Sequence, residues 1–223
     1  MSGVVLLSGG LDSTVSLHLA VKKGICKLAL TFDYGQVSRK KEILSSKKIC
    51  HRYGIKHFVI EIPFLKRISK KSGLLSGKIP AMKNLSNASE ESARSVWVPN
   101  RNALFANIGA GFCDAMNLKW VIMGLNGEEG TTFPDNSKKF IGKINELWKF
   151  STLVKPKLWT PLIEMKKEEI LTTAIEEEVD IFSIWVCYKG GKKHCGICES
   201  CIRLKTAMEK IGVFDRFKNM FER

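Results

Sequence analysis

The chain has 223 residues, 44% of them hydrophobic, and 36 basic against 22 acidic residues give a formal net charge of +14. This composition fills one sizeable core, as a single large domain or a domain with a small appendage, and excludes a disordered chain. The apolar run at 4–7 is too short for a secretory signal and no apolar stretch of 18 residues occurs, so a soluble cytoplasmic protein without membrane contact is expected.

In chain order, residues 4–7 read as a short buried strand, 12–23 as a helix with Val15 and Leu19 on one face, and 27–32 as a second strand after Gly24. A helix over 39–53, a turn at Gly54 and a strand over 56–62, stopped by Pro63, continue the alternation. Strand, helix and strand in this rhythm predict a parallel sheet. From 63 to 98 the pattern lapses into Ser, Gly, Lys and Asn, which predicts an irregular or partly helical excursion over a site, with a passive linker as the alternative. Residues 100–116 resume a helix with Leu104, Ile108 and Phe112 on one face, 119–123 form a strand, and 124–137 a polar loop. Helices follow over about 137–150 and 163–177, punctuated by Pro156 and Pro161, and 200–210 is the closing helix. The expected division is a nucleotide-binding domain over 1–180 and a metal-binding region over 181–223 packed on it.

The basic excess lies in short runs, Arg39-Lys40-Lys41 and the pairs Lys70-Lys71, Lys138-Lys139, Lys166-Lys167 and Lys192-Lys193. Such dispersion suits a solvated surface as well as an electrostatic footprint for a polyanion, and it names no partner.

The segment Leu7-Ser8-Gly9-Gly10-Leu11-Asp12-Ser13-Thr14 falls between the first strand and the first helix. Its backbone amides and the helix N-terminus can surround an anion, with Gly9 and Gly10 permitting close approach. It lacks the lysine of a P-loop and the third glycine of a dinucleotide fold. It resembles the SGGxDS pyrophosphate-loop signature of ATP-pyrophosphatases, enzymes that split ATP between its α and β phosphates to adenylate a substrate. Asp33 closes the second strand beside this loop, followed by Tyr34-Gly35-Gln36. Arg101 stands at a helix start, where its charge opposes the dipole and calls for an anion or carboxylate. The polar loop offers Asn126, Glu128, Glu129, Thr132 and Asp135 to a substrate or a metal.

Cys187, Cys195, Cys198 and Cys201 supply four soft ligands within fifteen residues, with Gly190, Gly191 and Gly196 providing the turns. Tetrahedral structural zinc is expected, with an iron–sulfur cluster as the chemical rival and an RNA-binding zinc knuckle, fitted with Lys189, Lys192, Lys193 and Arg203, as the functional one. Cys26, Cys50 and Cys113 read as core thiols of a protein in a reducing compartment.

Together with Phe32-Asp33-Tyr34-Gly35-Gln36, Val98-Pro99-Asn100-Arg101-Asn102, Gly124-Leu125-Asn126, Phe133-Pro134-Asp135 and Cys187-Tyr188, these motifs resemble the 7-cyano-7-deazaguanine synthases almost end to end. Asp135-Asn136-Ser137 departs from the aspartate-cysteine-arginine of many bacterial members and looks more like archaeal relatives. The resemblance implies a three-layer α/β/α nucleotide-binding fold of the adenine nucleotide alpha hydrolase type. It implies ATP, magnesium and one zinc as cofactors, 7-carboxy-7-deazaguanine and free ammonia as substrates, a homodimer, and no obligate nucleic acid. It places the nucleotide at Leu7, Ser8, Gly9, Gly10, Leu11, Asp12, Ser13, Thr14, Val15, Ser16, Leu17 and Asp33. The substrate falls to Tyr34, Gln36, Arg101, Asn126, Glu128 and Asp135, with Asp12, Ser13, Arg101 and Asp135 as catalytic residues. A tRNA-modifying adenylating enzyme of the sulfurtransferase type shares the loop but needs a catalytic cysteine or an RNA-binding module. A non-enzymatic zinc-containing RNA-binding protein leaves the phosphate loop without purpose.

Overall fold

The structure, a computed structural model, describes residues 2–83, 90–128 and 133–222. Glu129 and Thr132 of the polar loop, and part of the 63–98 excursion, lie outside the described residues. Five parallel strands form one sheet in the order β3-β2-β1-β4-β5: β1 (Gly3–Leu6), β2 (Cys26–Asp33), β3 (Lys56–Glu61), β4 (Trp120–Met123) and β5 (Lys157–Trp159). The alternation predicted four of these. The three-residue β5, between Pro156 and Pro161, gives too short a run to show a period and read as punctuation.

Both faces of the sheet are covered, as a parallel sheet requires. Val4 and Leu6 point into one core with Leu28, Leu30 and Val121 beneath α6 (Arg101–Met116) and α7 (Lys138–Ser151). Val5 and Leu7 point the other way, meeting Leu17, Ala20 and Ile49 of α1 (Leu11–Lys22) and α2 (Arg39–Tyr53). The two-residue period of β1 thus divides its side chains between two cores. On α6, Ala106, Gly109, Ala110 and Cys113 are buried, and their small size lets the helix sit close to the sheet. The larger Leu104, Ile108 and Phe112, expected to lead the packing, are only partly buried at its flank.

The excursion contains α3 (Phe64–Ile68), α4 (Gly73–Ser76) and α5 (Glu90–Val96). Leu65, Leu74, Leu75, Val96 and Val98 bury themselves in the core under α6, so the described parts of the segment are packed and are not a passive linker. Helix α8 (Lys167–Glu176) starts later than the sequence suggested: Lys166 is the N-cap, and its backbone N–H donates to Glu169 Oε2 at 2.6 Å. Beyond it, α9 (Glu199–Lys210) and the short α10 (Phe214–Phe217) follow the cysteine loop. Leu11 and Val15 of α1, Ile170 and Leu171 of α8, and the cysteine region share one apolar cluster. Among the described residues, no helix is long and apolar enough to cross a membrane.

Candidate active site

Chain order reverses between β1 and β4: the chain steps outward from β1 to β3, then returns to the other side of β1. In open parallel sheets the crevice beyond the strand ends at such a point is where ligands bind. A cleft of about 280 Å³ opens there. Ser8 and Gly10 line it from the loop after β1, Leu11, Asp12 and Ser13 from the first turn of α1, and Met123, Gly124 and Leu125 from the end of β4 and the loop after it.

The loop is held from several sides. Gly9 has φ +79°, a conformation open to glycine, and a Cβ there would lie 2.9 Å from the Glu42 carbonyl oxygen. Its carbonyl accepts from Ser45 Oγ at 2.9 Å and from the Trp185 amide at 2.7 Å, which joins the loop to α2 and to the cysteine region. Ser8 and Ser13 hydroxyls lie 3.0 Å apart, and Thr14 Oγ1 donates to Gly10 O at 2.7 Å. Helix α1 starts on Gly10, which has no side chain to cap its first amides, so that end is suited to an anion.

Asp12, the carboxylate of the loop, receives Lys167 Nζ at 2.9 and 2.7 Å on its two oxygens and Asn126 Nδ2 at 2.7 Å. Lys167 was legible in the sequence only as half of one dispersed basic pair. It lines the cleft from the start of α8. Gly124 makes the approach possible: a Cβ there would stand 2.6 Å from the backbone carbon of Asp12 and the amide nitrogen of Ser13.

The opposite part of the cleft is aromatic. Phe32 and Phe105 stack at 4.0 Å with 12° between their planes, and Tyr34 tilts against Phe105 at 5.6 Å. Arg101 Nη1 donates to the Tyr34 hydroxyl at 3.3 Å, with its guanidinium 5.9 Å from the ring centre. The group in direct contact with Arg101 is thus a phenol. Burial pushes the Tyr34 hydroxyl above its ordinary value, with Arg101 pulling against it, so it remains a protonated donor. Asp135 lies within electrostatic reach of Arg101, and its neighbour Asn136 lines the cleft.

Several expected site residues stand behind the cleft lining. Val15 and Leu17 are core residues of α1 and Ser16 is fully buried, because only the first turn of a helix faces its N-terminal ligand. Asp33 accepts from the Gly35 amide at 2.9 Å and approaches Arg39 at 3.8 Å, so it shapes the turn after β2. Gln36 is turned inward, its oxygen accepting from the Tyr34 amide at 3.0 Å and its nitrogen donating to Phe32 O and Glu42. Asn126 reaches the site through Asp12. Glu128 ties α8 to α9, accepting from the Lys167 amide at 3.1 Å and approaching Arg203 at 3.5 Å.

A further wall of the cleft, joined to the loop through Trp185, comes from the C-terminal region. Trp185, Val186, Tyr188, Ser200 and Arg203 all line the cleft, and Arg203 is held by Glu199 at 2.8 Å. These residues flank the four cysteines, whose sulfurs all lie within 4.8 Å of one another in buried positions. Tetrahedral zinc with bonds of about 2.3 Å requires sulfurs roughly 3.8 Å apart, and Cys195 and Cys201 stand at 4.0 Å. The Lys189 and Cys195 amides point at Cys187 Sγ at 3.3 and 3.4 Å, an arrangement that suits a thiolate. The cluster is able to hold a metal. The other three thiols behave differently: burial pushes Cys26, Cys50 and Cys113 up to about 12, and none lines the cleft.

Known proteins resemble this chain along nearly its whole length. The family described as "Queuosine biosynthesis protein QueC" matches residues 2–212. The chain is 45% identical over 207 residues to the 7-cyano-7-deazaguanine synthase of Carboxydothermus hydrogenoformans, covering 92% of this chain and 96% of that one. It is 40% identical over 229 residues to the enzyme of that name from Methanocaldococcus jannaschii, covering 98% and 99%. Among solved structures, the U34-tRNA thiolase NcsA from Methanococcus maripaludis with its 4Fe-4S cluster aligns at a TM-score of 0.51 and 16% identity. That alignment covers 97% of this chain and 66% of the thiolase, and the likeness is one of fold.

Proposed function

This chain belongs to the QueC family of queuosine biosynthesis proteins, and on that premise we propose that its cleft joins ammonia to 7-carboxy-7-deazaguanine at the expense of ATP, giving 7-cyano-7-deazaguanine. The observation that carries the assignment is the shared cleft: a phosphate-binding loop and a stacked aromatic wall open into one space, so a triphosphate and a planar acid can meet there.

A carboxylate oxygen cannot leave as such. In the proposed reaction it attacks the α-phosphorus of ATP, the α–β bridging bond breaks, and pyrophosphate departs. Ammonia adds to the resulting acyl adenylate, AMP leaves with the original oxygen, and a proton is lost to give the amide. The amide oxygen then attacks a second ATP in the same way. Loss of AMP and of both remaining nitrogen protons closes the nitrile. Ser8, Ser13 and the start of α1 stabilise charge that grows on pyrophosphate, Thr14 holds the turn through Gly10, and Lys167 supplies a cation at the same end. Arg101, held by Tyr34, orients the acid. Bringing the two reactants into contact supplies much of the acceleration.

Asp12 and the phosphate oxygens form the kind of donor set magnesium takes, and the ion when bound would neutralise triphosphate charge. The cysteine cluster fits zinc, which we assign a structural role: with four thiolates it has no open position for chemistry, but it fixes the segment carrying Tyr188, Ser200 and Arg203. A cytoplasmic homodimer accords with the family reading.

Incubation of the purified protein with 7-carboxy-7-deazaguanine, ammonium, ATP and magnesium tests the assignment. Mass spectrometry should find the nitrile together with AMP and pyrophosphate. Unchanged acid, in a folded and zinc-loaded protein, would reject it. AMP release that requires tRNA would redirect the assignment to RNA modification.

A further inference from the structure

Glu42 is a carboxylate in the cleft that none of the sequence motifs drew attention to. It lies in the first turn of α2, half-buried, and lines the cleft beside Phe32, Tyr34, Arg101 and Phe105. Ser38 Oγ donates to its Oε1 at 2.5 Å and Gln36 Nε2 to its Oε2 at 2.8 Å. Gln36 is itself fixed by the Tyr34 amide and the Phe32 carbonyl, so the carboxylate is clamped by a buried neighbour. One donor on each oxygen leaves further acceptor capacity on both.

We propose that Glu42 reads the guanine-like edge of the substrate, accepting from ring N1–H and the exocyclic 2-amino group while the bicycle lies along the Phe32–Phe105 wall. The inference rests on the reaction proposed above. 7-Carboxy-7-deazaguanine keeps both donors side by side, and a rigid carboxylate matches an adjacent pair of N–H groups as it matches a guanidinium. Gln36 and Ser38 then act as positioning residues.

Burial pushes the Glu42 carboxyl above its ordinary value, with Ser38, Gln36 and Arg101 pulling it down and Asp33 adding to the rise. The N-terminus of α2 adds a dipole that favours the anion. An analogue without the 2-amino group leaves one carboxylate oxygen short of a partner inside the cleft, which is the discrimination such a site supplies.

AMP release by the full chain, measured with 7-carboxy-7-deazaguanine and with its 2-desamino analogue, tests the assignment. The wild type should prefer the aminated acid by about 10-fold or more in kcat/KM. Glu42→Gln should raise KM for the natural acid by about 10-fold, keep kcat within about threefold and erase most of the preference, with ATP affinity by calorimetry unchanged. Glu42→Asp, which keeps the paired acceptors, should retain more of the preference than Glu42→Gln. Wild-type KM and preference in Glu42→Gln would overturn the inference while leaving the reaction intact. A loss confined to kcat, with an altered dependence on ammonium and pH, would also overturn it and assign Glu42 to proton transfer. No AMP from the wild type with the natural acid would reject the reaction, and the inference with it.

Discussion

Lys167 places its ammonium 2.9 and 2.7 Å from the two carboxylate oxygens of Asp12, joining the phosphate loop to a helix 155 residues away in sequence. Both side chains are largely shielded from water, and Asn126 bonds the same carboxylate. A cation parked on the loop's only acid can move to a triphosphate when nucleotide and magnesium arrive. Lys167→Met should therefore lower AMP formation by about 100-fold while leaving the cysteine site loaded. Asp12→Asn should keep fold and zinc and lose AMP production. Undiminished turnover in either variant, followed by chromatography of AMP, would refute the assigned role.

Metal loss should act on stability ahead of chemistry. The cysteine cluster pins α9 and the cleft wall to a core shared with α1 and α8. Cys201→Ser, or prolonged chelation, should lower Tm by about 10 °C, on the basis of roughly 2–4 °C per kcal/mol for a domain of this size. Scanning calorimetry with metal analysis checks this. An unchanged Tm in zinc-free protein would contradict a structural ion.

Gly124 is the narrowest joint of the site. Gly124→Ala puts a methyl carbon 2.6 Å from the Asp12 and Ser13 backbone, which cannot be relieved by rotating a side chain. The two loops must separate, and ATP affinity measured by titration calorimetry should fall by about 10-fold or more. Stability should drop by about 1–3 kcal/mol.

His57 gives stability a mild dependence on pH. Its Nε2–H donates to Thr31 Oγ1 at 2.8 Å, and that hydroxyl donates to Leu7 O at 2.6 Å at the root of the phosphate loop. Burial, helped by Lys47, pushes the imidazole below its ordinary value. The unfolded chain then binds the proton more readily near pH 6.5, so this contribution is complete above that pH and is lost as pH falls through the folded value. Urea midpoints at pH 7.5 and 5.5 should show a smaller acid loss for His57→Gln than for the wild type.

The sequence made the sheet largely legible, because β1 is an apolar run ahead of α1, and β2 and β3 follow helices that end near Gly24 and Gly54. Strand β5 escaped because three residues carry no period, and α8 was drawn too long because its cap, Lys166 with Glu169, is a polar pair outside the apolar pattern. At the site, the phosphate loop and the four cysteines were readable because each is contiguous and spaced by its chemistry. Lys167, Arg203 and Glu42 were not: each sits on a helix among other charges, and only the crossing from β3 back to β4 and the packing of the C-terminal region bring them to one cleft. Gln36 and Glu128 were read as substrate contacts because their types are polar and their loops adjacent, yet their hydrogen bonds go inward to the scaffold.

The central claim is that one cleft activates oxygen twice, and labelling the substrate carboxylate with ¹⁸O tests it most directly. Each original oxygen must leave on a separate AMP, so the account predicts two AMP per nitrile, each carrying one ¹⁸O in its phosphate. A single labelled AMP per product, or label released to water, would contradict it.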